Sequence, residues 1–349
     1  RRGGAGTIRW LRNSMFRLSD IIKKAREAAK GKQAPAPEKV SPLPEAPKAE
    51  DGVNLSSVIS TGRDPGISAQ EKPVDPGLEI VEARAADTYD RLLSKAKQVY
   101  ASYLSAMLAL KPDIFMIVED VVDVMSSGSV KIFESIFKDY PIDKDFLYVH
   151  AAHVCVLSVG LAIGLGFDRT SLTDLGMAAL LHDIGAVEHP DILGNKNKLT
   201  KSELEKMRQH PARGAEILKA SGIEIKDKII EAVRHEHERL DGSGYPSGLK
   251  KKEINEYARV IAVADVYEAI VHKRPYRDTM TTVDAIKLML DNKKMFENEV
   301  LRMLLEKIGI FPAGTCVQLN NMEVAIVVGN NPKTPFSPVV DVTMDAYGN

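Results

Sequence analysis

The chain is short of cysteine, of tryptophan and of net charge, and it has no long uninterrupted apolar run. Two cysteines in 349 residues, Cys155 and Cys316, are too few for a disulfide framework. A reducing cytoplasmic setting accommodates both as inert core residues. A formal net charge of −1 argues against broad electrostatic capture of a nucleic acid polymer, which needs a basic face. Any anionic ligand must therefore be gripped locally. The longest apolar stretch, AAHVCVLSVGLAIGLGF at residues 151 to 167, falls short of the roughly 20 residues of a spanning helix. It also carries His153 and follows His150, so a buried helix is expected. Neither a secretory signal pattern nor an internal repeat is visible.

What is present is an ordinary globular composition, 44% apolar and 27% charged, in a chain long enough for two or three units. Residues 1–30 read as a basic amphipathic helix, in which Ile8, Leu11, Phe16, Leu18, Ile21 and Ile22 alternate with lysine and arginine. Such a helix docks a partner or lies on an anionic membrane surface. Residues 31–77 are rich in proline, alanine and charge and read as a linker. Residues 78–140 form an N-terminal helical region: a long amphipathic helix through Leu110, then two shorter ones broken at Ser126-Ser127-Gly128. Helical patterning continues through 141–310, and the stripe Val154, Leu157, Leu161 and Leu165 is expected in the core. From Phe311-Pro312 the apolar period switches to two in three short valine-rich segments, so residues 311–349 are expected to form a small β-module. The fold class expected is all-α, a helical bundle preceded by a helical N-terminal region and followed by that module.

The chemistry-bearing residues begin at LLHDIG, where His182 and Asp183 end an apolar helical run. Imidazole offers a nitrogen to one ion while a carboxylate can bridge two. A lone His-Asp pair is weak evidence, since helix ends often carry such residues as caps. His150, His210, His237 and Asp265, however, also sit in or beside apolar helical segments. Shared metals explain five buried ligand types better than five separate satisfied polar groups do. The block DGSGYPSG is too rich in glycine and proline to be helical and reads as a loop holding Gly244, Tyr245 and Pro246. It would shape a substrate mouth or present Tyr245 to a partner.

The ordered series of His150, His182-Asp183, His210 and His237-Glu238-Arg239, followed by DGSGYP, ARVIAVADVYEAI and KRPYR, resembles the HD-GYP subgroup of the HD phosphohydrolase superfamily. The likeness spans roughly residues 145 to 305. It implies a helical bundle holding transition metals, iron or manganese, that hydrolyses cyclic di-GMP. Carried over by position, it implies His150, His182, Asp183, His210, His237 and Asp265 as metal ligands, with His182 and Asp183 at the catalytic centre. Arg274, Tyr276 and Arg277 match positions near substrate phosphate or guanine, and arginine suits both features. Metals roughly 3.5 to 4 Å apart can share a bridging hydroxide and hold it in line with phosphorus. Three positions depart from the pattern. Ala186 stands where the family usually has lysine. Glu236 replaces the first histidine of an HHE triplet and is expected as a substitute ligand, because His235 would have to move one position along the helix to serve. Phe146 stands where some members have a third-metal glutamate, so two metal ions are expected rather than three. His153 is expected in the core or behind the ligands, and His189 and His272 at the surface or in loops.

These readings make the chain an enzyme acting on a cyclic dinucleotide. The alternatives are a catalytically weak domain that binds a dinucleotide or a protein, and a phosphodiesterase for another cyclic dinucleotide. Expected partners are the dinucleotide, a protein at the Gly244-Tyr245-Pro246 loop, a second copy of the chain, and a membrane surface at residues 7–30.

Overall fold

The computed structural model describes residues 76–101, 107–129, 131–136, 146–193, 199–222, 224–272, 280–309, 316–319, 323–329, 331 and 338–344. The expected basic helix at 1–30, and the linker up to residue 75, lie outside the described residues.

Helix α1 (Pro76–Ala101) buries Ala85, Tyr89, Leu92, Ala96 and Val99, a stripe recurring every three or four residues, and turns Arg84 and Arg91 outward. Helix α2 (Met107–Ser126) packs on α1 and buries Ile114, Ile117, Val118, Val121 and Val122. Residues 102–106, inside the helix expected to run through Leu110, lie outside the described residues, and α2 continues through Pro112. Proline forgoes one ladder hydrogen bond, and burial of the apolar face that follows offsets the loss. The break expected near Ser126 is present, with Gly128 in the left-handed region at φ 86°. Helix α3 (Lys131–Ile136) follows.

Helix α4 (Phe146–Gly164) is the centre of the bundle and packs on α1, on α5 (Arg169–Leu181), on α10 (Glu256–Val271) and on α12 (Asn298–Ile308). Its Ala151, Val154, Cys155, Leu157, Val159 and Leu161 are all buried. Among the described residues it is the one helix long and apolar enough to cross a membrane, but 78% of that window is covered by the rest of the fold. Burial lifts the Cys155 thiol to about 12, so it stays protonated and unreactive. The Asp168 side chain caps α5 by accepting from Ser171 N at 2.9 Å. A 3-10 turn (Ile184–Glu188) and short helices α6 (Pro190–Leu193) and α7 (Lys201–Met207) lead to α8 (His210–Ala220) and α9 (Asp227–His235). Helix α11 (Thr282–Asp291) packs on α10. After α12, Gly309 at φ 73° stops the helix, and β1 (Cys316–Gln318), β2 (Val324–Gly329) and β3 (Val339–Met344) form an antiparallel sheet in that order. The class expected from the sequence, an all-α bundle with a small terminal β-module, is the one observed.

Candidate metal centre

Five segments far apart in the chain bring their polar residues to one buried point. His150 comes from the first turns of α4 and Asp265 from the middle of α10, with His150 Nε2 3.1 Å from Asp265 Oδ1. His182 ends α5, and Asp183 leads into the 3-10 turn. His210 opens α8, and Glu236 and His237 follow the end of α9. The α8 and 3-10 segments meet because Gly185 has no side chain: a Cβ there would lie 2.1 Å from the His210 carbonyl oxygen and 2.5 Å from Gly214 N. That approach sets Asp183 Oδ1 3.1 Å from His210 Nε2, while Asp183 Oδ2 lies 3.4 Å from His182 Nε2 and 3.7 Å from His150 Nε2.

Two groups of ligand atoms result, each with its atoms within 4.8 Å of one another: His150, His182 and Asp183 in one, and Asp183, His210, Glu236 and His237 in the other. Asp183 belongs to both. Asp265 also lies between them, its Oδ2 3.7 Å from His237 Nδ1. The tautomers follow from the partners, because a carbonyl oxygen can only accept. His182 donates Nδ1–H to Ala179 O at 2.8 Å, and His210 donates Nδ1–H to Met207 O at 2.5 Å. Both rings are thereby left with Nε2 turned to the cluster.

Three buried atoms of this cluster have no hydrogen-bond partner: His182 Nε2, Glu236 Oε2 and Asp265 Oδ2. Buried polar atoms are nearly always satisfied, so orphans converging from three segments are unusual. The donor set of imidazole and carboxylate suits a transition-metal ion, and a cation here would satisfy all three. The residues fit such an ion.

Without one, protons must balance the carboxylates. Burial opposes charge on His182, but Asp183 and Glu236 raise its pKa well above the usual value. His210 is also buried, yet the same two carboxylates lift it to about 10. Burial lifts Glu236 to about 7. Asp183 is pushed up by burial but held well below the usual range by His182 and His210. His237 is kept neutral by burial and by the charge of His210. All three raised groups carry the same sign: the folded state keeps protons that the unfolded chain releases, above about 4.5 for Glu236 and about 6.5 for the histidines. In metal-stripped protein, stability is therefore expected to fall as pH rises from about 7 to about 10. His237 is neutral and Asp183 ionised in both states across that window. Melting curves after chelation check this, and Mn²⁺ should flatten the slope because the ion displaces those protons. A flat curve for the stripped protein would show that the cluster does not hold them.

The residues around the ligands complete the site. Glu238, next to His237, accepts backbone N–H from Ser247, Gly248 and Leu249 at 2.7, 3.1 and 2.9 Å, which ties the glycine-rich loop to the ligand segment. Gly244 lies against the Glu238 backbone, where a Cβ would sit 2.3 Å from Glu238 Cα. Tyr245 is buried with its ring 4.8 Å from that of His237, and the Arg208 guanidinium stands 5.7 Å over its other side. The tyrosine is thus wall rather than a group presented to a partner, because the Glu238 tie folds the loop inward. Pro246 is half-buried beside it, and Ser247 is exposed.

His150, His182, Asp183, His210, Glu236, His237 and Asp265 all lie at this centre. Arg274, Tyr276 and Arg277 lie outside the described residues, as does the Phe146 side chain. His235 points away and its Nδ1 accepts from Asn255 N at 3.3 Å, so it belongs to neither group. Ala186 is buried in the core, and no cation reaches the centre from that position. His272, expected at the surface or in a loop, lies at the bend just after α10 and is partly buried: its Nε2–H donates to Ile136 O at 2.6 Å and its ring lies 4.6 Å from that of His153. The end of α10 abuts the end of α3, a contact that sequence distance hides.

Sequence reasoning missed Glu268, buried on α10 and bonded to both His150 and His153. An acidic residue three positions after Asp265, inside an apolar helix, was the available signal. It also missed Tyr89 of α1, whose hydroxyl lies 2.6 Å from His153 Nε2. Nothing in the local sequence marks that one.

Residues 142–300 match the family model described as an HD domain, and residues 316–349 match a KOW domain associated with HD domains. A cyclic di-GMP phosphodiesterase of Pseudomonas aeruginosa is 35% identical over 203 residues, 58% of this chain and 49% of that protein. One of Thermotoga maritima is 37% identical over 45% of this chain and 43% of its own length. The 3′3′-cGAMP-specific phosphodiesterase 1 of Vibrio cholerae is 34% identical over 41% and 33%. The chain spans about half the length, or less, of these relatives. A solved HDG"Y"P protein of Bdellovibrio bacteriovorus superposes with a TM-score of 0.54 at 20% identity, covering 67% of this chain and 73% of that one, and shares the fold.

Proposed function

Because residues 142–300 match the HD domain model, we propose that the chain is a phosphodiesterase of cyclic dinucleotides, cyclic di-GMP first, working with two transition-metal ions, iron or manganese. The observation that carries this reading is the Asp183 carboxylate common to two ligand groups beside three orphaned buried atoms. His150, His182, Asp183 and Asp265 would hold one ion, and Asp183, His210, Glu236 and His237 the other. Bound there, the ions supply a nucleophile from water at neutral pH and offset charge on the phosphoryl oxygens.

The chain's own residues do the rest. Backbone carbonyls hold His182 and His210 in the tautomer that offers Nε2. The side chain of Asp183 is 14% exposed while its histidine and Glu236 neighbours are at most 4% exposed, so the shared carboxylate marks the side from which substrate enters. In this reading Arg274, Tyr276 and Arg277 bind the substrate's phosphate or guanine, for which arginine chemistry suits both. Residues 141–310 are the catalytic domain in this reading, with 78–140 packed on it and 311–349 as an appended module. The cytoplasm suits a free buried thiol and oxidisable ions. A protein partner at the loop would meet Ser247. A second copy of the chain and a membrane at residues 7–30 are further contacts of the same reading.

The test is anaerobic purification, metal quantification, and turnover of cyclic di-GMP and 3′3′-cGAMP with Mn²⁺ or Fe²⁺. Bound metal with cleavage of neither dinucleotide would leave a binding module as the function. Glu236→Ala is expected to lower bound metal from about two ions per chain toward about one, and Glu236→His to retain both. Full metal content in Glu236→Ala removes Glu236 from the ligand set.

A further inference from the structure

The two oxygens of Glu268 face three imidazoles, with His272 Nδ1 3.4 Å from Oε1. Oε2 faces Nδ1 of His150, and Oε1 lies 3.1 Å from Nδ1 of His153. A carboxylate only accepts, so both nitrogens must carry the proton. That choice leaves His150 with its Nε2 lone pair directed at Asp265 and Asp183, 3.1 and 3.7 Å away. It also leaves His153 Nε2 as an acceptor, and the Tyr89 hydroxyl donates to it at 2.6 Å. Tyr89, His153, Glu268 and His150 are thus joined in one hydrogen-bonded series.

The other two histidines with Nε2 turned to the cluster, His182 and His210, are oriented by local carbonyls three residues earlier, and α5 and the turn before α8 supply those on their own. His150 lies inside α4, where carbonyls are committed to the helix ladder. Its orientation is imposed from α10 through Glu268 and backed from α1 through Tyr89. Glu268 is itself buried and held by His153, so it cannot swing away without leaving charge uncompensated.

We propose that Glu268 is the positioning residue for His150, and that Tyr89 and His153 set Glu268, so that helix α1, upstream of the HD domain match, is part of the metal site. The inference rests on the metal reading of the cluster.

Glu268→Gln tests it, because an amide has one acceptor and one donor where the structure needs two acceptors. One histidine must then flip or change tautomer. Zn²⁺ serves as the diamagnetic probe in the full chain, with affinity read by chelator competition and tautomers by long-range ¹H–¹⁵N correlation on histidine-labelled protein. The expected result is wild-type binding with His150 protonated at Nδ1, about 10–100-fold weaker binding in Glu268→Gln, and a smaller loss of about 2–3-fold in Tyr89→Phe. The tyrosine variant removes one hydroxyl from an intact fold, so it remains informative if Glu268→Gln does not fold. Wild-type affinity in both variants, or His150 protonated at Nε2 in wild type, overturns the positioning role while leaving the metal site standing. Wild-type protein that binds no Zn²⁺, Mn²⁺ or Fe²⁺ overturns both.

Discussion

Asp183→Ala is expected to abolish turnover, with kcat/KM falling by about 10³-fold or more, and to release metal from both ligand groups together. Asp183 is the one residue common to the two groups, its Oδ1 near His210 and its Oδ2 near His182 and His150. Its loss removes negative charge from between two cations and leaves Glu236 as the remaining near carboxylate for both His182 and His210. A metal-assisted phosphoryl step draws several kcal/mol from charge stabilisation, and about 4 kcal/mol corresponds to about 10³ in rate. Asp183→Asn separates charge from shape, since it keeps the volume and one acceptor oxygen. Metal stoichiometry and turnover should fall in both variants while the helical circular dichroism persists. If Asp183→Asn keeps two ions and wild-type turnover, the shared carboxylate is not the bridge of the site.

Gly185→Ala is expected to have the largest effect on stability. The added Cβ would meet two backbone atoms, His210 O at 2.1 Å and Gly214 N at 2.5 Å, neither of which can rotate aside. The 3-10 turn and α8 must separate, and overpacking of this kind costs about 3 kcal/mol. For a domain of this size that lowers the melting temperature by roughly 6–12 °C. The same separation draws His210 away from Asp183, so metal affinity should fall even below the melting range. Gly214→Ala is the control. Its Cβ meets Val233 Cγ1 at 3.1 Å and Gly185 N at 3.3 Å, so shifts of a few tenths of an ångström suffice. Melting and metal binding compared across the two variants check the claim, and equal, small effects would mean the backbone approach at Gly185 is not what holds the ligands together.

Much of this centre was legible in the sequence because buried imidazoles and carboxylates advertise themselves. Each is a polar residue set in an apolar helical run, and such residues are costly unless they share a purpose. Glu236 could be named for the same reason. The helical class and the switch to β at the chain's end followed from apolar periodicity, 3.6 before Gly309 and two after it. The partner of His272 was not legible in the sequence, because the carbonyl it meets is that of Ile136, which lies 136 residues away.

By itself, the sequence determined which imidazoles and carboxylates are set in apolar helical runs, their order, and the chemistry those groups can support, since these are properties of residue types and local pattern. Only the tertiary structure decided that Asp183 is shared, that His182 Nε2, Glu236 Oε2 and Asp265 Oδ2 are buried without partners, and that Glu268 and Tyr89 stand behind His150. The reason is physical. A tautomer, a shared oxygen or an orphaned atom exists only between groups held a few ångströms apart, and that distance is set by helices that meet from opposite ends of the chain.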